Sequence, residues 1–141
     1  MTTAASWALQ RSIYQALAGS SELTSLLGGA RIYSDPPHGA PFPYIALGQT
    51  VNLDWSTGTE DGAEHSVTLH VWSRADSRQE VHEIIQVIRT VLHNQPLMLE
   101  DHYLVNLRHE FTEARIDPDG ETLHGIVRYR AVTEPAQQAA A

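Results

Sequence analysis

Eight histidines and no cysteine make imidazole the first chemistry to consider in this chain. Imidazole is the commonest zinc ligand left once thiolates are excluded. The spacing argues against a metal centre. His65 and His70 have opposite parity on a predicted strand, His82 and His93 are eleven apart on the polar side of a predicted helix, and no HExxH or HxH pair occurs. The expected reading is solvated or core-satisfied histidines, with no metal and no cofactor. Carboxylates occur as neighbours at Glu60-Asp61, Glu80 with Glu83, Glu100-Asp101 and Asp117 with Asp119. All fall in turns or on a solvent-facing helix side, where such runs serve solvation and capping. The serines lack a GxSxG elbow, so no acyl-transfer nucleophile is supported. Gly28-Gly29 lacks phosphate-loop spacing and reads as a helix stop. Arg128 and Arg130 share one face of a predicted strand with Ile126 and Val132, and Arg108 lies on the preceding strand. That stripe could meet an acidic partner or phosphate, or pair across strands with Glu110 or Glu121.

Composition narrows the classes further. A chain of 141 residues can bury enough surface to fold as one ordinary domain. Without cysteine there is no disulfide scaffold, thiolate zinc site, iron–sulfur cluster or cysteine nucleophile. Nine arginines, with no lysine, face seventeen acidic residues and leave a net charge of -8. That balance argues against wrapping nucleic acid or resting on anionic lipid through bulk electrostatics. The start lacks a basic segment followed by an apolar run, and no stretch is apolar for long enough to span a membrane. A soluble cytoplasmic protein is expected.

The elements that must position these residues follow from periodicity. Leu9, Ile13, Ala16 and Leu17 predict a helix over 6–18, with Trp7 and Tyr14 on a neighbouring side and Gly19 at its end. Ser21 is the expected cap of a short helix carrying Leu23, Leu26 and Leu27. Three prolines and a glycine make 34–41 a stiff surface loop. Residues 42–51 predict a strand with Ile45, Leu47 and Val51 on one face, and 65–73 predict a second in which Val67, Leu69 and Val71 alternate with polar residues. The polar segment 52–64 between them holds Asp61-Gly62 as its turn signal. Asp76 and Gln79 resemble a capping box before a core-facing helix with Val81, Ile84, Ile85, Ile88, Val91 and Leu92, which ends at Asn94-Gln95-Pro96. Strands around 97–99 leading into 103–111, and over 123–132, are joined by a type I turn at Asp117-Pro118-Asp119-Gly120. This order predicts an α+β domain: a mostly antiparallel four- to five-stranded sheet with the long helix and the N-terminal helices on one face. The domain is expected over 1–133, with 134–141 as a flexible tail.

Apolar surface remains that one small core does not use. Trp55 sits in a polar segment longer than a tight hairpin needs, and long ordered loops tend to be functional. It is either an interface aromatic or a lid over the sheet edge.

Taken in order, several segments resemble the tail completion, or tail terminator, proteins of long-tailed phages and gene transfer agents. They are Leu9-Gln10-Arg11-Ser12-Ile13-Tyr14-Gln15-Ala16-Leu17; Arg31-Ile32-Tyr33; Pro43-Tyr44-Ile45; Trp55-Ser56-Thr57; His70-Val71-Trp72-Ser73-Arg74; Val91-Leu92-His93; and His124-Gly125-Ile126-Val127-Arg128-Tyr129-Arg130. The resemblance covers about residues 8 to 133 and rests on order and spacing, since each segment is short and mostly structural. It implies a non-enzymatic protein, made in the bacterial cytoplasm and ending in the tail of a phage-like particle. It implies a ring, usually of six copies, at the head-proximal end of the tail tube. The ring ends tube polymerisation and meets a head-side connector, with tube protein and connector as partners and no membrane. Six copies at -8 would carry about -48, and an anionic bore would let DNA pass without sticking. The expected interface residues are Leu53 and Trp55 in the long loop, Tyr33 and His38 around the proline-rich loop, and Arg128 and Arg130 on the last strand. Rival readings are an adaptor or stopper ring of the same connector, or a small ligand-binding or hydrolytic domain using its histidines.

Overall fold

The computed structural model describes residues 3–54 and 62–136. Its elements are α1 (Ala5–Ala18), α2 (Ser21–Leu27), β1 (Ile32–Tyr33), β2 (Tyr44–Asp54), β3 (Ala63–Ser73), α3 (Gln79–Leu92), β4 (His102–Ile116) and β5 (Leu123–Pro135). They form an α+β domain around a five-stranded sheet of order β1-β2-β3-β5-β4. All strand pairs are antiparallel except β1 with β2. The sequence reading has no counterpart for β1, because two residues are too short to show a period.

The helices form where apolar residues return every three or four positions. In α1, Leu9, Ile13 and Leu17 are fully buried, and buried Ser12 is satisfied by donating to the Met98 carbonyl at 3.0 Å. The cap of α2 is Ser20, not Ser21: its hydroxyl accepts from the Leu23 N–H at 3.2 Å, and Gly28 ends the helix with φ 81°. The expected capping box of α3 is also absent. Gln79 reaches forward to Glu83 at 2.8 Å, while its N–H bonds the Ser77 hydroxyl at 3.3 Å. The core stripe of α3 is as expected, with Val87 added and Val91 only partly buried.

In the sheet, one extra residue changes a face. β2 carries a bulge between Leu47 and Thr50, so Val51 lies opposite Ser66, on the face away from the helices, and is exposed. The expectation that Val51 shares the core face with Ile45 and Leu47 is therefore corrected. Asn52 takes the inward register and meets buried His65, oxygen to Nδ1, at 2.5 Å. The segment expected to be a loop from 52 onward is partly strand, since β2 and β3 extend into it from both sides. The strand expected at 97–99 is only an isolated bridge between Leu99 and His102, whereas both final strands run further at their C-terminal ends than expected. Tyr103 pairs with Glu134 and His102 with Pro135, and the Ala136 N–H bonds the Asp101 carbonyl at 2.9 Å. Residues 134 and 135 thus belong to β5, and 136 is tied to Asp101, where a tail was expected; 137–141 lie outside the described residues. The turn joining β4 to β5 closes as predicted, with the Gly120 N–H on the Asp117 carbonyl at 2.9 Å.

One hydrophobic cluster joins the three helices to one face of the sheet. Helix and sheet approach closely at Gly125, where a Cβ would stand 2.8 Å from Val81 Cγ1.

Candidate assembly surface

Strand alternation sends every second side chain away from the helices. With Val67, Leu69, Val71, Val127 and Tyr129 turned into the core, the opposite face carries Ser66, Thr68, His70 and Trp72 from β3 and His124, Ile126, Arg128, Arg130 and Val132 from β5. Register adds Arg108, Phe111, Glu113 and Arg115 from β4, and Val51 and Leu53 from β2. This outer face is the principal surface on which the predicted residues fall.

At one end of it, aromatic rings are layered. Trp72 and His124 stack at 3.7 Å with their planes 9° apart, and His70 lies 4.9 Å from His124. His70 Nδ1 and His124 Nε2 share a hydrogen bond of 2.7 Å. Burial lowers the His124 pKa to about 4, helped by His70 and Arg115, and burial followed by Arg115 lowers that of His70. Both rings are therefore neutral at pH 7. Gly48 makes room: a Cβ there would stand 2.7 Å from the His70 ring. Beside this stack Tyr33 meets Tyr44 edge-on at 5.8 Å, Tyr44 meets Phe42 at 5.3 Å, and Arg74 lies over Phe42 at 4.5 Å.

Midway along, Arg128 lies over the Phe111 ring at 5.0 Å. Arg130 binds Glu64 of β3, which raises its pKa further. The partner is neither Glu110 nor Glu121, the two that sequence proximity suggests, because β5 lies between β3 and β4 and Glu64 shares its outward face. Leu53, opposite Glu64 in register, is 59% exposed.

The five predicted interface residues that are described therefore do not form one patch. Leu53 and Arg130 converge through Glu64, with Arg128 nearby on the same strand, whereas Tyr33 lies roughly 20 Å away along β2. His38 is exposed in the proline-rich loop and makes no hydrogen bond among the described residues. Trp55 lies outside the described residues. The histidine–tryptophan stack and Phe111 escaped sequence reasoning; parity along single strands was available, but cross-strand neighbours depend on register. Among the described residues no group of three or more histidines or carboxylates could hold a metal ion, and no helix is long and apolar enough to cross a membrane. His65 is instead held between Asn52 and the Thr133 hydroxyl, the latter at 2.9 Å, and burial lowers its pKa.

Comparison with known proteins gives this fold a family. Residues 11–134 match the family model described as tail completion protein gp17. The chain belongs to that family. A tail completion protein gp17 of Bacillus phage SPP1 is 27% identical over 126 residues, spanning 89% of this chain and 92% of the relative. A chain of the virion of a native gene transfer agent particle superimposes with a TM-score of 0.85 at 26% identity, covering 94% of this chain and 99% of that one. The gp17 match begins inside α1 and ends within β5, so it takes in the outer sheet face in full.

Proposed function

We propose that this protein is a structural, non-enzymatic subunit that completes the tail of a phage or gene transfer agent. On this reading copies form a ring, six in number, at the head-proximal end of the tail tube. The ring ends tube polymerisation and joins the tail to a head-side connector, with a channel left for DNA. The observation that carries the proposal is the gp17 family match over 11–134. Support comes from the likeness to a chain of an assembled gene transfer agent virion. The fold is suited to the role, since a helix layer on one side and an open sheet face on the other offer two different surfaces, and closed rings use heterologous contacts. The net charge of -8 per copy suits a bore through which DNA slides. Assembly takes place in the bacterial cytoplasm and the product resides in the tail, without a membrane.

Electron microscopy of particles from cells lacking the gene, with a complemented control, tests this. Expected are headless tails, some abnormally long, beside separate filled heads. Normal tails of regular length without attached heads would favour a stopper or adaptor. Finished particles would overturn the proposal.

A further inference from the structure

The protein must meet copies of itself despite a charge of -8, so its uncommitted cations are informative. Three arginines form ion pairs: Arg11 with Glu100, Arg115 with Glu113 and Arg130 with Glu64. Arg31 donates to the Phe42 carbonyl, Arg74 to Thr122 and Arg89 to the ring of His109. Among the described residues only Arg78, Arg108 and Arg128 have side chains with neither a carboxylate nor a hydrogen-bonding partner. Two of the three lie together on the outer sheet face. Arg108 stands directly opposite Arg130, a like-charge pairing that destabilises a bare sheet, and Arg128 covers a Phe111 that is still 38% exposed.

The opposite side of the fold carries the complement. Between α2 and α3 runs an open groove lined by partly buried Leu26 and buried Val87 and by the exposed Glu22, His82, Glu83 and Gln86. Glu22 has no side-chain partner among the described residues, and Glu83 only the Gln79 amide.

We propose that the Arg108–Arg128–Phe111 patch of one copy docks into the Glu22–Glu83 groove of the next. This rests on the ring reading above. Phe111 then covers the part of Leu26 left exposed, beside Val87, while the two arginines meet the two carboxylates around that apolar centre. Because patch and groove lie on opposite sides of one chain, no copy satisfies its own. The contact is head-to-tail, the kind that closes into a ring when its rotation permits.

The absence of native cysteine makes the test clean. A full-length F111C/Q86C variant, expressed in place of the parent gene and oxidised in assembled particles, is expected to give a ladder of cross-linked multimers; F111C or Q86C alone stays monomeric. Separately, Arg128→Glu is expected to lower the yield of finished particles roughly tenfold or more at unchanged melting temperature, and adding Glu83→Arg to restore it. Parent-like yield with Arg128→Glu, no restoration by Glu83→Arg, or no ladder from the double cysteine variant overturns the docking. Failure of the ring reading looks different, because deletion of the gene would then still give finished particles.

Discussion

His70 and His124, 54 positions apart in sequence, share one hydrogen bond of 2.7 Å on the outer sheet face, and Trp72 lies flat on the second ring. One ring nitrogen donates and the other accepts, so protonating both rings places two N–H groups against each other.

That relationship makes stability depend on pH. Folded His124 titrates at about 4 instead of 6.5, so between those values the unfolded chain binds the proton and the folded one does not. Its contribution, on the order of 2 kcal/mol, is complete above about pH 6.5 and is lost as pH falls towards 4. The groups that face it, His70, Arg115, Asp117 and Glu113, shape the profile, with the two carboxylates opposing the shift. Urea midpoints at pH 7.5 and 5.0 should fall less in His124→Phe than in the parent. His65, His70 and His109, also lowered, keep a residual slope. Equal falls in both proteins would place the proton uptake elsewhere.

Gly125 sets the distance between sheet and helix. An alanine Cβ there would meet Val81 Cγ1 at 2.8 Å and Ile85 Cδ1 at 3.1 Å, so Gly125→Ala should destabilise by about 1–3 kcal/mol. Val81→Ala removes the stiffer obstacle. Denaturant unfolding of the double variant should show less destabilisation than the sum of the singles by about 1 kcal/mol. Simple additivity would mean that the helix shifts freely.

Tyr129 is fully buried and its hydroxyl has no hydrogen-bond partner among the described residues. Desolvation raises its pKa strongly. Tyr129→Phe keeps the packing, including the edge contact with His109 at 5.6 Å, and removes a polar atom that burial penalises. The melting temperature should be unchanged or higher. A loss of more than about 1 kcal/mol would reveal a bound water serving that hydroxyl.

Leu53 is exposed at the far end of β2, beside the Glu64–Arg130 pair. Leu53→Ala should alter folding stability by no more than about 0.5 kcal/mol while reducing the yield of joined particles. Parent-like assembly would remove Leu53 from the contact surface.

Much of the fold was legible in single segments. Helix stripes such as Leu9, Ile13 and Leu17, the Gly28 stop and the Asp117–Gly120 turn each depend on interactions within a few residues, so local sequence carries them. The α3 cap was misread because Gln79 has two partners within reach and prefers Glu83. Composition, too, has consequences of its own: without cysteine there is no thiol chemistry, and a net charge of -8 argues against bulk DNA gripping.

The tertiary structure decided what local sequence leaves open. A single bulge after Leu47 moved Val51 from the core face to the outer one, because strand side chains alternate with a period of two. The insertion of β5 between β3 and β4 gave Arg130 to Glu64 and brought His124 beneath Trp72. These pairings join residues more than fifty positions apart, and their partners follow from strand order and register, which are properties of the whole sheet and not of any segment.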